Sequence, residues 1–312
     1  NMRWGSYELR FVRPIKWITA LYGPDVVELE IAGVRSGRVT YGHRFLGSAI
    51  ELHDPDEYIA KLREQYVIAD ITERKAEIRT QINRVADANN WQVPIQEDLL
   101  EEVLFLLEYP TVLTGSFDQD FLHIPQEVLV TSMREHQRYF PVMDATGKLL
   151  PYFITVRNGD DTSLDQVARG NEKVLRARLA DAKFFYEEDQ KLSIDAALSK
   201  LEQVVFHEEL GTIGDKIRRI KKTAEQLAKL CNIPTEEQVV IQRAAAICKF
   251  DLVTLMVDEF PELQGVMGMD YARKAGESDA VAQAIYEHYR PRHSGDGSPE
   301  SLAGAIVSIA DK

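Results

Sequence analysis

The sequence is poor in cysteine, with only Cys231 and Cys248 among its 312 residues. Both lie in helix-like sequence, and no CxxC spacing is present for a zinc site or a disulfide framework. A shortage of cysteine is typical of proteins that fold in a reducing compartment. We therefore predict a cytoplasmic protein without structural disulfides.

Long apolar runs are missing as well. No stretch approaches the roughly 20 apolar residues that a membrane helix needs, which predicts a chain without a membrane partner. The first residues lack a basic leader followed by an apolar segment, and the last helical pattern, at residues 302–309, has no Gly or Asn to close it. From these two features we expect a chain that is cut at both ends.

Positive charge is also in short supply. Lysine and arginine number 37 against 50 aspartates and glutamates, so the net charge is −13. Because neutralising phosphates takes concentrated cations, this balance argues against wholesale coating of nucleic acid and leaves room only for local basic patches. The patterns GxGxxG, GxxxxGK[ST] and GxSxG are absent, which gives no support to a glycine-loop nucleotide site or to serine hydrolysis. We expect no catalytic residue and no bound metal in this chain.

Strand-like and helix-like segments alternate up to Arg157. Short apolar runs separated by Pro and Gly predict strands before Arg44, with a hairpin turn at residues 22–25. A turn at residues 144–148, flanked by further apolar runs, predicts a second hairpin. The helices predicted in this part cover residues 58–66, 72–88 and 95–107.

After Arg157 the apolar spacing is helical almost throughout, so no further strands are expected. A boundary near residues 188–191 divides the chain into a mixed α/β domain, residues 1–188, and a helical domain, residues 189–312. The predicted fold class is therefore α+β. The helices predicted in this part cover residues 165–186, 195–206, 213–230, 236–260 and 278–289.

A first basic cluster follows Arg157 on the helix predicted for residues 165–186. Its cations flank a Gly-Asn-Glu sequence at residues 170–172, and guanidinium groups beside amide and aromatic partners suit phosphate contacts. A solvated helix face, in which Glu172 and Asp181 pair with the cations, explains the same residues. The candidate phosphate contacts are Arg169, Lys173, Arg176, Arg178 and Lys183.

A second basic cluster occupies residues 216–222, where five of seven positions are cationic. Ile217 and Ile220 are spaced to face the core, which leaves a strongly positive face outside. Such a local reversal of charge in an acidic protein makes this the more notable of the two basic clusters, although an ordinary amphipathic surface helix explains it nearly as well. The candidate contacts are Lys216, Arg218, Arg219, Lys221 and Lys222.

The order of His207, Asp251 and Asp311 resembles the HD phosphohydrolase superfamily, which holds a divalent metal with a lone His, a His-Asp pair and a final Asp. In this sequence Phe250 stands at the first position of the pair. A phenyl ring has no lone pair to donate to a metal, so a catalytic metal site is not expected. His207 is then interpreted as an interface or partly buried histidine.

Several strings resemble the beta subunit of the bacterial two-subunit glycyl-tRNA synthetase. The longest is Met-Arg-Glu-His-Gln-Arg-Tyr-Phe-Pro-Val at residues 133–142, and another is Gly-Asn-Glu-Lys-Val-Leu-Arg at residues 170–176. The resemblance extends over essentially the whole chain, with the strings in the family's order. The other strings lie at residues 2–5, 42–45, 147–151, 178–185, 264–268 and 289–292.

The resemblance implies a subunit of an α2β2 enzyme. In that family the separate alpha chain carries the class II active site, with ATP, Mg and glycine, and the beta chain binds glycine tRNA. The first domain is implied to resemble the editing-type module of the phenylalanyl-tRNA synthetase beta subunit, and the second to be all-α and HD-like. By this resemblance the family's extreme N-terminal segment and its C-terminal anticodon-binding domain are missing, so we expect no cofactor in this chain and no aminoacylation by it alone.

Three other interpretations stay open from the sequence. The order of His207, Asp251 and Asp311 leaves a metal-dependent phosphohydrolase as one alternative. The first domain could hydrolyse mischarged tRNA, although no hydrolytic constellation is evident there. The chain could also be a scaffold that holds the alpha subunits together.

Overall fold

The structure is a computed structural model that mixes helices with small sheets, which confirms the α+β class. No helix within its described ranges is both long and apolar enough to cross a membrane. The described residues are 2–3, 5–11 and 13–312.

Contacts divide the chain into two compact units. The division falls at residues 175 and 176, within a single helix, and a short earlier segment belongs to the second unit. The predicted domain boundary between residues 188 and 189 stays a prediction. The first unit comprises Asn1–Asp118 and Met133–Leu175, and the second comprises Gln119–Ser132 and Arg176–Lys312.

Short strands form the beginning of the first unit. They are β1 (Met2–Arg3), β2 (Arg10–Phe11), β3 (Ile18–Thr19), β4 (Leu21–Tyr22), β5 (Asp25–Val26), β6 (Glu30–Ile31), β7 (Val34–Gly37), β8 (Val39–Tyr41) and β9 (Ala49–Glu51). β4 and β5 are antiparallel, with Leu21 opposite Val26, which confirms the hairpin predicted at residues 22–25. One of the short apolar runs that predict strands before Arg44 is Phe11-Val12; Phe11 belongs to β2, and Val12 lies outside the described residues.

The core of the first unit lies between a three-stranded antiparallel sheet and two helices. Its elements are α1 (Tyr58–Glu64), α2 (Ile71–Asn89), α3 (Glu97–Leu106), β10 (Pro110–Ser116), β11 (Phe140–Met143) and β12 (Leu149–Asn158), with sheet order β10-β12-β11. Ile78 and Ile82 are one turn apart on α2, so both side chains face the core formed with α3 and the sheet. Fully buried Phe140 and Ile154 pair across β11 and β12, which confirms the second hairpin.

The second unit is mostly helical. Its elements, with α5 shared between the units, are α4 (Gln126–Thr131), α5 (Leu164–Asp189), α6 (Ile194–Leu201), β13 (Val205–His207), β14 (Gly211–Thr212), α7 (Ile213–Leu230), α8 (Thr235–Ile247), α9 (Leu255–Glu259), α10 (Val266–Lys274), α11 (Asp279–Glu287) and α12 (Leu302–Asp311). Ala244, Ala245 and Ile247 of α8 are fully buried, and α8 contacts α7, α11 and α12. This central position explains why α8 is apolar on most of its sides.

The expectation of no strands after Arg157 is wrong. The helix predicted for residues 195–206 ends at Leu201, and β13 and β14 form a small antiparallel hairpin. β-Branched and aromatic residues at 204–206 fit an extended strand, and Gly211 has a positive φ of 85° that ends the turn. Thr212 and Asp215 then form a capping box that fixes the start of α7.

The single helix predicted for residues 236–260 is also wrong, because this segment breaks after Ile247. A 3₁₀ turn, Phe250–Val253, follows α8, and Thr254 caps the separate helix α9 by accepting a hydrogen bond from the Val257 N–H. The break carries the Asp251 side chain inward to the backbone N–H groups before and within α10. Helix α10 itself follows Gly265, which has a φ of 80°, and was not anticipated from the sequence.

Candidate functional site

The first basic cluster lies on α5, after Arg157 at the end of β12. Arg169, Lys173 and Arg176 are exposed, and their spacing of four and three residues places them on one face of the helix. No ion pair joins any of the three to an acidic side chain in the described part of the chain. Their charges are therefore directed to solvent.

The remaining cations of the first cluster have acidic neighbours within the second unit. Arg178 lies 3.8 Å from Glu259, and Lys183 lies 4.0 Å from Glu187, both long ion pairs on the surface. Glu172, which was considered as a partner for these cations, instead accepts hydrogen bonds from the N–H and hydroxyl of Ser116 at 2.8 and 2.9 Å. The cluster thus separates into cations with and without partners.

The second basic cluster lies on the first half of α7, and part of it is engaged within the chain. The Arg218 guanidinium bridges Glu202 and Asp215 at 2.6 Å each, and these bonds raise the pKa of Arg218. Arg219 donates to the carbonyl oxygen of Leu210 at 2.9 Å. These two guanidinium groups hold the β13–β14 turn and the start of α7 in place.

Lys221 and Lys222 are the exposed, unengaged members of the second cluster. Neither forms an ion pair or a side-chain hydrogen bond with any residue that the structure describes. By contrast, the Lys216 side chain is only 21% exposed and its ammonium lies 2.7 Å from Asp311. The spacing alone could not separate Lys216, which faces inward, from its two outward-facing neighbours.

Asp251, one of the HD-like positions, is fully buried. One of its carboxylate oxygens accepts hydrogen bonds from the N–H groups of Gly265 and Gly268 at 2.7 and 3.1 Å. Burial raises the pKa of Asp251 to about 6, against the opposing effect of the two N–H donors. Its visible role is to join the 3₁₀ turn at Phe250–Val253 to the start of α10.

Asp311, the last HD-like position, is held by two lysines. The ammonium groups of Lys249 and Lys216 each lie 2.7 Å from one of its oxygens. Burial opposes the ionisation of Asp311, but the two ammonium groups outweigh it and keep the pKa of Asp311 below its ordinary value. The positive charge beside this carboxylate is therefore supplied by the chain itself.

The Lys249 side chain, only 6% exposed, has a second contact that sequence reasoning did not anticipate. Its ammonium lies 3.9 Å from the centre of the Tyr289 ring, which is close enough for a cation–π interaction. His288 is fully buried next to Tyr289. Its burial and, to a smaller extent, the positive charge of Lys249 lower the pKa of His288 to about 3. We name Lys249, Asp251, His288 and Asp311 the buried ionic cluster.

The remaining HD-like positions do not complete a metal site. His207 is exposed on β13, where its Nδ1 accepts a hydrogen bond from the Glu209 N–H at 3.2 Å. Phe250 is buried as part of the core, and its ring can coordinate nothing. Across residues 2–3, 5–11 and 13–312, no group of three His, Cys, Asp or Glu is placed to hold a metal ion. The residues present therefore do not fit the metal that the HD-like order suggests.

Two of the family-like strings meet in the first unit. The Tyr139 hydroxyl, from the string at residues 133–142, donates to the Asn171 side chain at 2.8 Å. Tyr139 also stacks on Phe153 of β12, with ring centroids 4.6 Å apart. These strings stabilise the packing of α5 on the sheet, which is a structural reason for their composition.

Comparison with known proteins gives one consistent result. The family model described as glycyl-tRNA synthetase beta subunit matches residues 1–312. Curated relatives named glycine-tRNA ligase beta subunit include those of Shouchella clausii, 58% identical, and Bacillus subtilis, 57% identical, each over all 312 residues of this chain. A Listeria monocytogenes relative is 50% identical over the same length. The chain spans 45 to 46% of the length of these relatives.

Proposed function

This chain belongs to the glycyl-tRNA synthetase beta subunit family, and from that premise we propose that it is a tRNA-binding, non-catalytic part of a glycine-tRNA ligase. A separate alpha subunit in an α2β2 assembly attaches glycine to glycine tRNA in the cytoplasm, using ATP and Mg, and this chain holds the tRNA. Its two domains, residues 1–188 and 189–312, correspond to an editing-type module and an HD-like domain. Neither contributes reacting groups, and the chain alone does not aminoacylate tRNA.

The observation that carries this proposal is a set of exposed cations without partners inside a chain of net charge −13. Cations that are free of carboxylates can neutralise phosphates without first breaking an internal ion pair. In an acidic protein such cations also determine which part of the surface attracts RNA. Among the candidate contacts, these cations are Arg169, Lys173 and Arg176 on α5, and Lys221 and Lys222 on α7.

The other candidate contacts take a secondary place in the proposal. Arg178 and Lys183 have only long surface ion pairs, so they can turn to a phosphate at little cost. Arg218 and Arg219 are occupied at the base of the β13–β14 hairpin. Lys216 lies beside Asp311, and its ammonium stabilises the fold instead of meeting RNA.

Reversal of the charges of Lys221 and Lys222 tests the proposal. The double variant Lys221→Glu, Lys222→Glu should bind glycine tRNA about tenfold more weakly at moderate salt, because two phosphate contacts are lost. The matched control is Arg84→Glu, Lys200→Glu, which changes the net charge equally at two exposed positions on α2 and α6. Equal affinity of the two double variants in a filter-binding assay would show that Lys221 and Lys222 do not contact the tRNA.

Two alternatives are separated by simple measurements. A metal-dependent phosphohydrolase requires a stoichiometric divalent metal that is lost in His207→Ala, which elemental analysis detects. Hydrolytic editing by the first domain requires release of the amino acid from mischarged tRNA in a deacylation assay. A scaffold without RNA contacts would co-purify with the alpha subunit yet leave glycine tRNA unbound.

A further inference from the structure

A surface loop of the first unit, residues 42–48, carries a cation and an aromatic ring into solvent. Phe45 is 83% exposed, and the Arg44 guanidinium carbon lies 5.5 Å from the centre of its ring. A phenyl ring held in water gains nothing from burial in the fold. The exposed pair is therefore accessible to a ligand.

The loop is fixed to its surroundings by backbone contacts. The N–H of Gly42 donates to the Ser48 carbonyl at 2.9 Å, and the N–H of His43 donates to the Gln65 carbonyl at 2.8 Å. A Cβ atom at Gly42 would lie 2.4 Å from the Gln65 Cβ, and one at Gly47 would lie 2.6 Å from the Gln65 carbonyl oxygen. Glycine is required at both positions because the backbones approach so closely. The loop is thus a rigid platform for Arg44 and Phe45.

His43 supplies a second, independent observation. The residue is 3% exposed, and its Nδ1 accepts hydrogen bonds from the N–H groups of Phe45 and Leu46 at 3.3 Å each. Because Nδ1 is an acceptor, the proton of the neutral ring lies on Nε2. This buried Nε2 has no hydrogen-bond partner among the described residues. A buried donor of this kind is normally paired, and His43 is one of the residues that line the adjoining cavity.

His43 and Arg44 line a cavity of about 480 Å³ together with Arg13, Lys16, Trp17 and Tyr41. Glu108 is the acidic side chain at its wall. The Trp17 and Tyr41 rings lie 4.7 Å apart, and each residue is nearly half exposed. No ion pair engages Arg13, Lys16 or Arg44 within the part of the chain that the structure describes. The cavity thus combines unpaired cations with accessible aromatic faces.

We propose that this cavity and the adjoining Phe45, together the Arg44–Phe45 cavity, bind an unpaired nucleotide of RNA. The base stacks on an exposed aromatic ring, its phosphate meets the cations, and the Nε2–H of His43 donates to an oxygen or nitrogen of the nucleotide. Aromatic faces next to cations are the usual means of holding single-stranded RNA, whereas bases in a duplex are already stacked. This inference rests on the proposed function, since it names the part of the tRNA that the first unit would hold.

The three cations favour a ligand that carries negative charge over a purely apolar partner. A purely apolar docking surface would leave Arg13, Lys16 and Arg44 desolvated without counter-charges, which is unfavourable. A phosphate group supplies these counter-charges directly. The single carboxylate of Glu108 reduces the positive charge of the wall without cancelling it.

Fluorescence anisotropy with the whole chain tests the inference. The probes are a labelled single-stranded RNA of roughly a dozen nucleotides, a blunt RNA duplex of the same length, and glycine tRNA. The test variant is Phe45→Ala with Arg44→Gln. The matched control is Tyr22→Ala with Arg84→Gln, because Tyr22 is also 83% exposed and Arg84 is an exposed cation without an ion pair in the described ranges.

The test variant should bind the single-stranded RNA at least about tenfold more weakly than the wild type, with little change for the duplex. The control variant should match the wild type on all probes. Single-strand affinity that is equal in the test and control variants would overturn the inference.

Three further outcomes are decisive. If glycine tRNA binding depends on Lys221 and Lys222 but not on Arg44 and Phe45, this inference is wrong and the proposed function stands. If the wild-type chain binds none of the RNA probes, both are wrong. If the test variant keeps its RNA affinity but no longer co-purifies with an alpha subunit, the surface is a protein interface and the inference is overturned.

Discussion

Replacement of Lys249 with methionine tests the structural interpretation of the buried ionic cluster. The substitution keeps most of the side-chain volume and removes the ammonium that lies 2.7 Å from Asp311 and 3.9 Å from the Tyr289 ring centre. The Lys249 and Asp311 side chains are 6% and 11% exposed, so the lost charge is not replaced by bulk solvent. The effect should therefore be much larger than that of a surface lysine.

Removal of one partner from a buried ion pair costs about 3 to 5 kcal/mol. Lys216 stays 2.7 Å from the other Asp311 oxygen and retains part of the compensation. The lost cation–π contact adds up to about 2 kcal/mol when it is desolvated. We therefore expect Lys249→Met to lower the free energy of unfolding of the second unit by about 3 to 5 kcal/mol.

Urea unfolding followed by far-ultraviolet circular dichroism measures this change, because the second unit is mostly helical. The control is Lys200→Met, at an exposed lysine of α6, which should change the free energy of unfolding by less than about 0.5 kcal/mol. A double variant that also carries Asp311→Leu should recover part of the lost free energy of unfolding. The second substitution removes the Asp311 carboxylate, which Lys249→Met leaves buried with one counter-charge fewer. If Lys249→Met is as stable as Lys200→Met, Lys249 does not stabilise the cluster and the reasoning is refuted.

Three further changes follow from buried groups and close approaches. Burial raises the pKa of Asp251 from 3.8 to about 6, so the contribution of Asp251 to stability is full below pH 3.8 and is lost as the pH rises to 6. Measured by urea titration, the free energy of unfolding of Asp251→Asn relative to that of the wild type should therefore rise by roughly 3 kcal/mol between pH 4 and 7. Burial lowers the pKa of His288 from 6.5 to about 3, so the contribution of His288 to stability is present above pH 6.5 and is lost on acidification. His288→Gln should therefore reduce the decline in thermal stability between pH 6.5 and 4.5. A decline as steep as that of the wild type would contradict this expectation. Gly42→Ala places a Cβ 2.4 Å from the Gln65 Cβ and should lower the free energy of unfolding of the first unit by about 1 to 3 kcal/mol. Unfolding followed by tryptophan fluorescence measures this change. A variant as stable as the wild type would show that the loop is not tightly held.

Local sequence patterns were sufficient for much of the fold. The helix predicted for residues 213–230 is α7 itself, because Ile213, Ile217 and Ile220 repeat on one face and a capping box sets its start. The hairpin of β11 and β12 follows from a turn whose Asp144 side chain accepts N–H groups from its own loop. In these segments the signal is contained within a few neighbouring residues.

The two errors have different causes. The break after α8 depends on Asp251, which accepts hydrogen bonds from N–H groups that are 14 and 17 residues further along the chain. No pattern within the segment that contains Asp251 reveals these contacts. The strand β13 has a local signal, because the β-branched and aromatic residues at 204–206 favour an extended conformation that pairs with nearby β14.

The residue types of the candidate site could be predicted from the sequence, but not whether each side chain faces the interior or the solvent. The substitution of Phe250 for a metal-binding histidine was visible in the sequence, whereas the contact between Lys249 and Asp311 joins residues 62 positions apart. A lysine next to apolar Cys248 and Phe250 was the available signal that it is buried. In residues 216–222, only the fold distinguishes Lys216, which faces Asp311, from the exposed Lys221 and Lys222.

The salt dependence of glycine tRNA binding tests the central proposal most directly. Each phosphate neutralised by a cation contributes a slope of about −0.9 to the plot of log affinity against log salt concentration. With contacts from the five unpaired candidate cations of α5 and α7, the wild-type chain should give a slope of about −4.5, and Lys221→Glu with Lys222→Glu should reduce its magnitude by about 2. A wild-type slope near zero, or a slope that the double variant leaves unchanged, would contradict tRNA binding through these residues.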